Sequence, residues 1–436
     1  MKNRVKVATV LAVAGVLGAA SSARAQADYL PPLNSTILPI WQTQGEYYGN
    51  QTQDTTKHLG AWLVANGGSS YGLVVLPNGL SPMPNQPYGG WDKKTLYQGA
   101  SGPVNGTLNG KVYNVSTTSG GYVSDSITGT GEEKNLYLHN GSTTYVLHRV
   151  KRHSPTLGLK YTKVATIPGG SGVVSLFDSS TGSADLSKWV AQENAPKLLN
   201  GYLYRGIHSV ATMGRVLMHI EFYSCFNPTA TDQGRANSGI YQQGRYETQV
   251  LDNFGMPATE GKLDKYGAVY SIKDPPFNAE LPPQVTLQTY DIYFTPRSSG
   301  GEGDAAGAAY FTVYANGLLV QDSTLAVKTT TASYVGMGTS NSPLYLQNHG
   351  NEVSFNNIWY VPNATPASLP YASILAAAAP PVDVITGFEI KSLKNKSSIH
   401  MLGLGDGYDL TGRHVFRKDG VELSIQPLVV PKDQAR

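Results

Sequence analysis

Between Val173 and Pro362 the chain never holds one hydrophobic period for long. Short alternating runs, among them LMHIEFYS, GIYQQG, RYETQVLD, LQTYDIYFT, AYFTVYANG and LYLQN, are each cut off by turn-forming residues. Alternation over about four to eight residues marks strands with one buried face, and no long amphipathic helix fits between such stops. The expected fold class is all-β, a two-sheet sandwich or jelly roll. The 48 glycines, 26 prolines and 27 tyrosines suit turn-rich sheets, and tyrosines also line carbohydrate surfaces.

Upstream, residues 26–150 repeat the pattern in shorter form: LGAWLVA and YGLVVLP flank NGGSS, a hairpin signal, and a small β-rich N-terminal domain is expected. Residues 151–172 contain Pro and Gly without periodicity and read as a linker. RSSGGEGDAAG, from Arg297, reads as a flexible excursion between strands. Residues 363–436 form a C-terminal extension of unassigned role, with a hairpin expected around Asp419-Gly420.

The first 25 residues have a basic start, an apolar run from Val7 to Ala20 and an Ala23-Arg24-Ala25 end. That is the form of a secretory signal peptide cleaved after Ala25, too short to anchor the chain in a membrane, so a periplasmic or secreted location is expected. The lone Cys225 excludes a disulfide framework. A net charge of +3 with no Lys/Arg run lacks the footprint of nucleic-acid binding. No HExxH or paired-cysteine metal motif, phosphate loop, GxSxG elbow or dinucleotide fingerprint is present, so no metal and no cofactor are expected.

Chemistry concentrates in GRANSGIYQQGRYETQVLDNFG, Gly234 to Gly255. Alternation puts Arg245, Glu247 and Gln249 on one face of a strand, with Tyr246, Thr248 and Val250 on the other. A face of Arg, Glu and Gln is poor core material. It forms either a solvated sheet surface or the floor of a polar groove, and Asn237-Ser238-Gly239 beside it favours the groove. In LMHIEFYS the same rule puts His219, Glu221 and Tyr223 opposite Ile220 and Phe222. If the two strands share a sheet, Glu221 and Glu247 face one hollow, and partial burial there separates their pKa values into an acid and a base.

These segments, with NGLLVQD and LYLQNHGNEVSFNNIWYVP, come in an order and spacing that resemble the 3-keto-disaccharide hydrolase family from about Leu176 to Pro362. The resemblance implies a concanavalin A-like jelly roll preceded by a small β-rich domain, and a 3-keto-glycoside as the carbohydrate substrate. It also moves Glu221, Glu247 and His349, the last in the family-like QNHG segment, towards catalytic roles. Many members have QDHG where this chain has Asn348, and a Trp where Leu287 precedes QTYDI. Substrate contacts are expected from Asn237, Arg245, Gln249, Asp252, Tyr270 and Gln288, with Asp291 as a buried acceptor.

A ketone at carbon 3 acidifies the carbon 2 proton, so a base can remove it and expel the glycosidic oxygen from carbon 1; water addition then completes a net hydrolysis. The expected roles are Glu247 or His349 as base, Glu221 as acid, and Arg245 with Gln249 as enolate donors. Two other readings stay open here: an ordinary glycosidase with Glu221 and Glu247 as its carboxylate pair, and a non-catalytic carbohydrate-binding protein.

Overall fold

The computed structural model describes residues 38–65, 70–77, 79–80, 100–105, 115–116, 122–128, 133–181, 185–192, 195–255, 264–378, 384–385, 415–418 and 421–424. The expected signal peptide lies outside them. The strands of the hairpin expected around Asp419-Gly420 are described, and Val415–Lys418 pairs antiparallel with Val421–Ser424.

After a short helix α1 (Leu38–Thr43), an antiparallel sheet is built from β1 (Gly45–Gln51), β2 (His58–Ala65), β3 (Ser70–Leu76), β4 (Ala100–Asn105), β5 (Val115–Ser116), β6 (Tyr122–Thr128), β7 (Asn135–Asn140) and β8 (Thr143–Lys151), in the order β4-β3-β2-β1-β8-β7-β6-β5. Val384–Ile385 adds to β8. Gly49 lets β1 and β8 approach closely, since a Cβ there would fall 1.9 Å from the Val146 carbonyl.

The rest of the fold is a jelly-roll sandwich, as expected. One sheet has five strands, β10 (Trp189–Ala191), β13 (Ile207–Met213), β20 (Ser342–Leu346), β15 (Ser238–Gln242) and β16 (Tyr246–Val250), in that order. The other runs β11 (Leu198–Leu199), β12 (Tyr202–Tyr204), β21 (Ser354–Pro362), β14 (Val216–Tyr223), β17 (Gln288–Thr295), β18 (Ala309–Ala315), β19 (Leu318–Ala326), with β9 (Val174–Phe177) pairing β21. Their inner faces meet through Met218, Ile220 and Phe222 of β14, Tyr290, Ile292 and Phe294 of β17, and Ile240, Tyr246 and Val250 opposite. The Tyr246 ring lies 6.0 Å from Phe294, and Tyr290 Oη donates to the Gln249 carbonyl across the gap at 2.7 Å.

Residues 151–172 do not hang free between units. A short helix α2 (Tyr161–Val164) and helix α3 (Tyr371–Ala377) pack Leu159, Val164, Leu369 and Ile374 against Leu217, Tyr293, Trp359 and Val361 on the outer face of the eight-stranded sheet. The excursion at Arg297 is pinned rather than loose: its buried guanidinium donates to the carbonyls of Ser299, Asp304 and Val327. The N-terminal sheet shares the sandwich core, with Trp62, Val64, Leu76, Leu80 and Val150 in one apolar cluster with Phe254 and Phe222.

Candidate functional site

Strand register builds a transverse row on the outer face of the five-stranded sheet. Val190 pairs with His208, His208 with Tyr345, Tyr345 with Tyr241 and Tyr241 with Glu247, each one strand further across. Residues directly opposite in antiparallel strands point to the same side, so the row is one continuous strip. A second row beside it holds Gln347, Gly239 and Gln249: the Gln347 N–H donates to the Gly239 carbonyl, and Gly239 pairs with Gln249.

Glu247 is the focus of both rows. Its carboxylate lies over Gly239, where a Cβ would fall 2.1 Å from Oε1, so the missing side chain is the space the carboxylate occupies. Only 2% of the residue is exposed. Burial pushes its pKa from the ordinary 4.5 up to about 8, against the opposing pull of the Tyr241 hydrogen bond. Tyr241 Oη lies 2.7 Å from Glu247 Oε2 and 2.8 Å from the Thr331 carbonyl, and it accepts from Gln347 Nε2 at 3.0 Å.

A phenol has one proton to give. With Glu247 ionised, Tyr241 must donate to the carboxylate; with Glu247 protonated, the carboxyl can donate to Tyr241 and the phenol turns to Thr331. Both states are satisfied by one hydroxyl rotation. Burial and the Glu247 charge raise Tyr241 far above the ordinary tyrosine value, so the phenol keeps its proton throughout.

Tyr270 joins this group: its N–H donates to the Glu247 carbonyl, and burial, then the Glu247 charge, raise its pKa. Gln249 Nε2 donates to the Asp264 carbonyl at 3.1 Å and sits 3.5 Å from Gln233 Oε1, which also takes Asn237 Nδ2. Asn237 N–H donates to Asn351 Oδ1, tying this edge to the loop carrying His349. His349 is exposed in that loop. Asn348 does not hold the histidine; its Oδ1 accepts from the Gly350 N–H in a local turn. The Oε1 atoms of Gln249 and Gln347 are buried and accept no hydrogen bond among the described residues.

Four expected site residues go elsewhere. Glu221 is on β14, in the other sheet, and its side chain points away from the sandwich core as Glu247's does, so the two carboxyls lie on opposite outer faces. It accepts from Gly158 N–H at 2.6 Å and Asn357 Nδ2 at 2.7 Å, clamping residues 154–164 onto the sheet. Gln288 faces inward, where its amide serves Leu281 and Asn316. Asp252 pairs with Arg235, which reaches the Ala65 carbonyl of the N-terminal sheet. Arg245 donates to the carbonyls of Gly336 and Ser340 and to Gln243 Oε1, fixing the loop after β19 instead of meeting a ligand.

Asp291 is the buried acceptor expected, receiving Thr156, Tyr371 and His219. Burial pulls His219 down, but the Asp291 charge and hydrogen bond, with Glu221 behind them, outweigh it and push its pKa up to about 9. Burial raises the Cys225 thiol to about 11, which removes it as a nucleophile near neutrality.

Sequence reasoning missed Tyr241, Tyr345 and Gln347. The signal was present: alternation in GIYQQG puts Tyr241 on the Gly239 face, and in LYLQN it puts Tyr345 with Gln347. A cleft of about 200 Å³ opens beside the row, lined by Gln192, Lys197, Tyr204, Arg205 and Asn348 among others. Tyr345 Oη donates to Gln192 Oε1 at its edge. Among the described residues no three His, Cys, Asp or Glu side chains gather to hold a metal ion.

The 3-keto-alpha-glucoside-1,2-lyase-like domain family matches residues 172–360. Two crystal structures from Parabacteroides distasonis, each described provisionally as a glycosyl hydrolase, are similar to this chain. One is 30% identical with a TM-score of 0.38, the match covering 44% of this chain and 83% of that one. The other is 16% identical with a TM-score of 0.29, covering 41% and 91%. No curated protein matches the chain.

Proposed function

Because residues 172–360 belong to the 3-keto-alpha-glucoside-1,2-lyase-like domain family, whose chemistry is on carbohydrates, we propose that this protein is an exported enzyme cleaving 3-keto-glycosides, with Glu247 as its proton-transfer group. The observation that carries the reading is a nearly buried carboxyl with a pKa near 8, seated in the hollow over Gly239 and supported in both protonation states.

A base that removes a proton beside a ketone works better the higher its pKa, so long as its ionised form is populated near the working pH. Glu247 meets both terms. Its carboxylate takes the carbon 2 proton and the electron pair passes into the ketone as an enolate. The enolate then collapses to a carbon 1–carbon 2 double bond, breaking the bond from carbon 1 to the glycosidic oxygen. The carboxyl, now protonated, hands that proton to the departing oxygen, and water adds across the double bond to finish the net hydrolysis. Tyr270 flanks the carboxyl.

The ordinary glycosidase reading loses its geometry. Carboxyls on opposite outer faces of a sandwich whose sheets lie about 10 Å apart exceed the ~5–9.5 Å over which such a pair works. Turnover decides between an enzyme and a binding protein. Purified wild type is expected to convert a 3-keto-disaccharide such as 3-keto-trehalose and to leave trehalose intact. Glu247→Gln is expected to lose about a hundred- to ten-thousand-fold in rate. Because the base form is required, kcat/KM is expected to rise with pH to a plateau above about 8. Full activity in Glu247→Gln removes the carboxyl from the mechanism, and binding without turnover in wild type makes the protein a carbohydrate-binding one.

A further inference from the structure

Glu247 has a tyrosine on each side. Tyr241 lies opposite it on β15. On the other flank, residues 267–270 run antiparallel to β16: the Gln249 N–H donates to the Ala268 carbonyl and the Tyr270 N–H to the Glu247 carbonyl, with Thr248 directly opposite Val269. Thr248 and Val269 are both fully buried, Val269 in the sandwich core. Successive residues point to alternate sides, so this register turns Tyr270 outward on the Glu247 face, with the two Cβ atoms about 5 Å apart.

The two phenols are used differently. Tyr241 is fully buried, and its Oη is taken by Glu247, Thr331 and Gln347. Tyr270 is half-buried, and its hydroxyl has no hydrogen-bond partner among the described residues. Its backbone is nonetheless fixed. Val269 and Lys273 exchange N–H to carbonyl bonds and close a turn around it, while Ser271 Oγ lies 3.3 Å from Oγ1 of Thr331, the residue whose carbonyl takes Tyr241.

The chemistry at Glu247 calls for such a group. Removing the carbon 2 proton places negative charge on the ketone oxygen, two bonds from that carbon, so a donor is needed beside the base. Arg245 and Gln249, the donors expected from the sequence, are engaged elsewhere: the guanidinium with Gly336, Ser340 and Gln243, the amide Nε2 with the Asp264 carbonyl. Burial, then the charges of Glu247 and Asp264, hold the Tyr270 phenol above the ordinary tyrosine value, so it still carries its proton when Glu247 is ionised. Resting on the reading of Glu247 as the base, we propose that Tyr270 is a catalytic residue whose hydroxyl donates a hydrogen bond to the carbon 3 oxygen as the enolate forms. In that step the carbon 2 proton passes to Glu247, the electron pair it leaves becomes the carbon 2–carbon 3 double bond, and the carbonyl pair moves onto the oxygen. The phenol keeps its own proton and stabilises the charge.

A 3-keto-glucosyl C-glycoside has no glycosidic oxygen to expel, so exchange of its carbon 2 proton with deuterium from D2O, followed by NMR, reads enolisation apart from cleavage. Wild type is expected to catalyse this exchange and to cleave 3-keto-trehalose. Tyr270→Phe keeps the ring and removes only the donor; it is expected to lose about a hundredfold or more in both rates, with KM within about threefold of wild type. Its melting temperature is expected to match wild type, and its kcat/KM to keep the same rise to a plateau above about 8. Rates within about fivefold of wild type, or a loss confined to KM, overturn the role of Tyr270 and leave Glu247 as the base. A lowered rate with a displaced pH rise also overturns it, since Tyr270 would then act on Glu247 and not on the ketone. A wild type that performs neither exchange nor cleavage overturns both assignments.

Discussion

Glu247 is held in a form the unfolded chain would not choose. Its folded pKa of about 8 lies above the ordinary 4.5, so the stability its neutral form contributes is present in full below about 4.5 and is lost as pH climbs to about 8. Glu247→Gln keeps the neutral shape at every pH. The variant is therefore expected to melt at about the wild-type temperature near pH 4.5 and progressively above it towards pH 8 and beyond, by several °C, in thermal scans across that range. Gly239 is the other half of this residue-scale device. Gly239→Ala would drive a methyl into the carboxylate, costing about 1–3 kcal/mol in denaturant unfolding and most of the activity. The Asn237-Ser238-Gly239 signal points to a close approach to backbone, and the group that comes close is the Glu247 carboxyl rather than a ligand. Alternation sorted Glu247 and Gln249 onto one face correctly because the pleat alone determines that.

At the scale of elements the sequence said less. Alternation tells which side chains share a face of a strand, but says nothing of which sheet the strand enters. β14 pairs with β17 and β21, partners about seventy and one hundred and forty residues away in the chain. That pairing sends Glu221 to the far side of the molecule, under residues 154–164 and α3. There it joins a cross-strand row of Asp291, His219 and Trp359, in which the His219 ring stacks 4.9 Å from Trp359. The absence of periodicity that made 151–172 look like a linker reflects docking through single contacts, such as Thr156 on Asp291 and Gly158 on Glu221. The pH sign is set by His219: with a folded pKa of about 9 above the ordinary 6.5, its stabilisation is complete below about 6.5 and disappears as pH rises through about 9. Asp291→Asn leaves the buried imidazolium without its main partner and is expected to cost about 3–5 kcal/mol at pH 6. Limited proteolysis should then cut within 154–164 first, and cleavage at other loops before this strap would contradict its assignment as a clamp.

The division into a small N-terminal unit and a sandwich follows the punctuation of the chain, yet the core does not respect it. Trp62 sits against Phe254 with ring centroids 5.6 Å apart, and its indole N–H donates to Glu46 Oε1, which Arg152 also holds. Gln44 exchanges amide contacts with Gln284, and Arg235 bridges Asp252 to the Ala65 carbonyl. Gly255 packs so closely on Val64 that a Cβ would fall 2.1 Å from its side chain. Interfaces between independent domains are more polar and slide; this one buries Trp62 and Val64 in the cluster that also fills the sandwich, and the Arg152–Glu46 pair is buried as well. None of this was visible in the sequence, because LGAWLVA reads as an ordinary strand whichever side its tryptophan faces. The physical consequence is cooperativity. Calorimetry of the protein is expected to give one transition for the N-terminal sheet and sandwich together, and Trp62→Ala should lower that whole transition by about 3–5 kcal/mol instead of splitting it. Two resolved transitions in wild type, with only the first moved by the substitution, would mean that the units fold apart and that the shared cluster is contact without coupling.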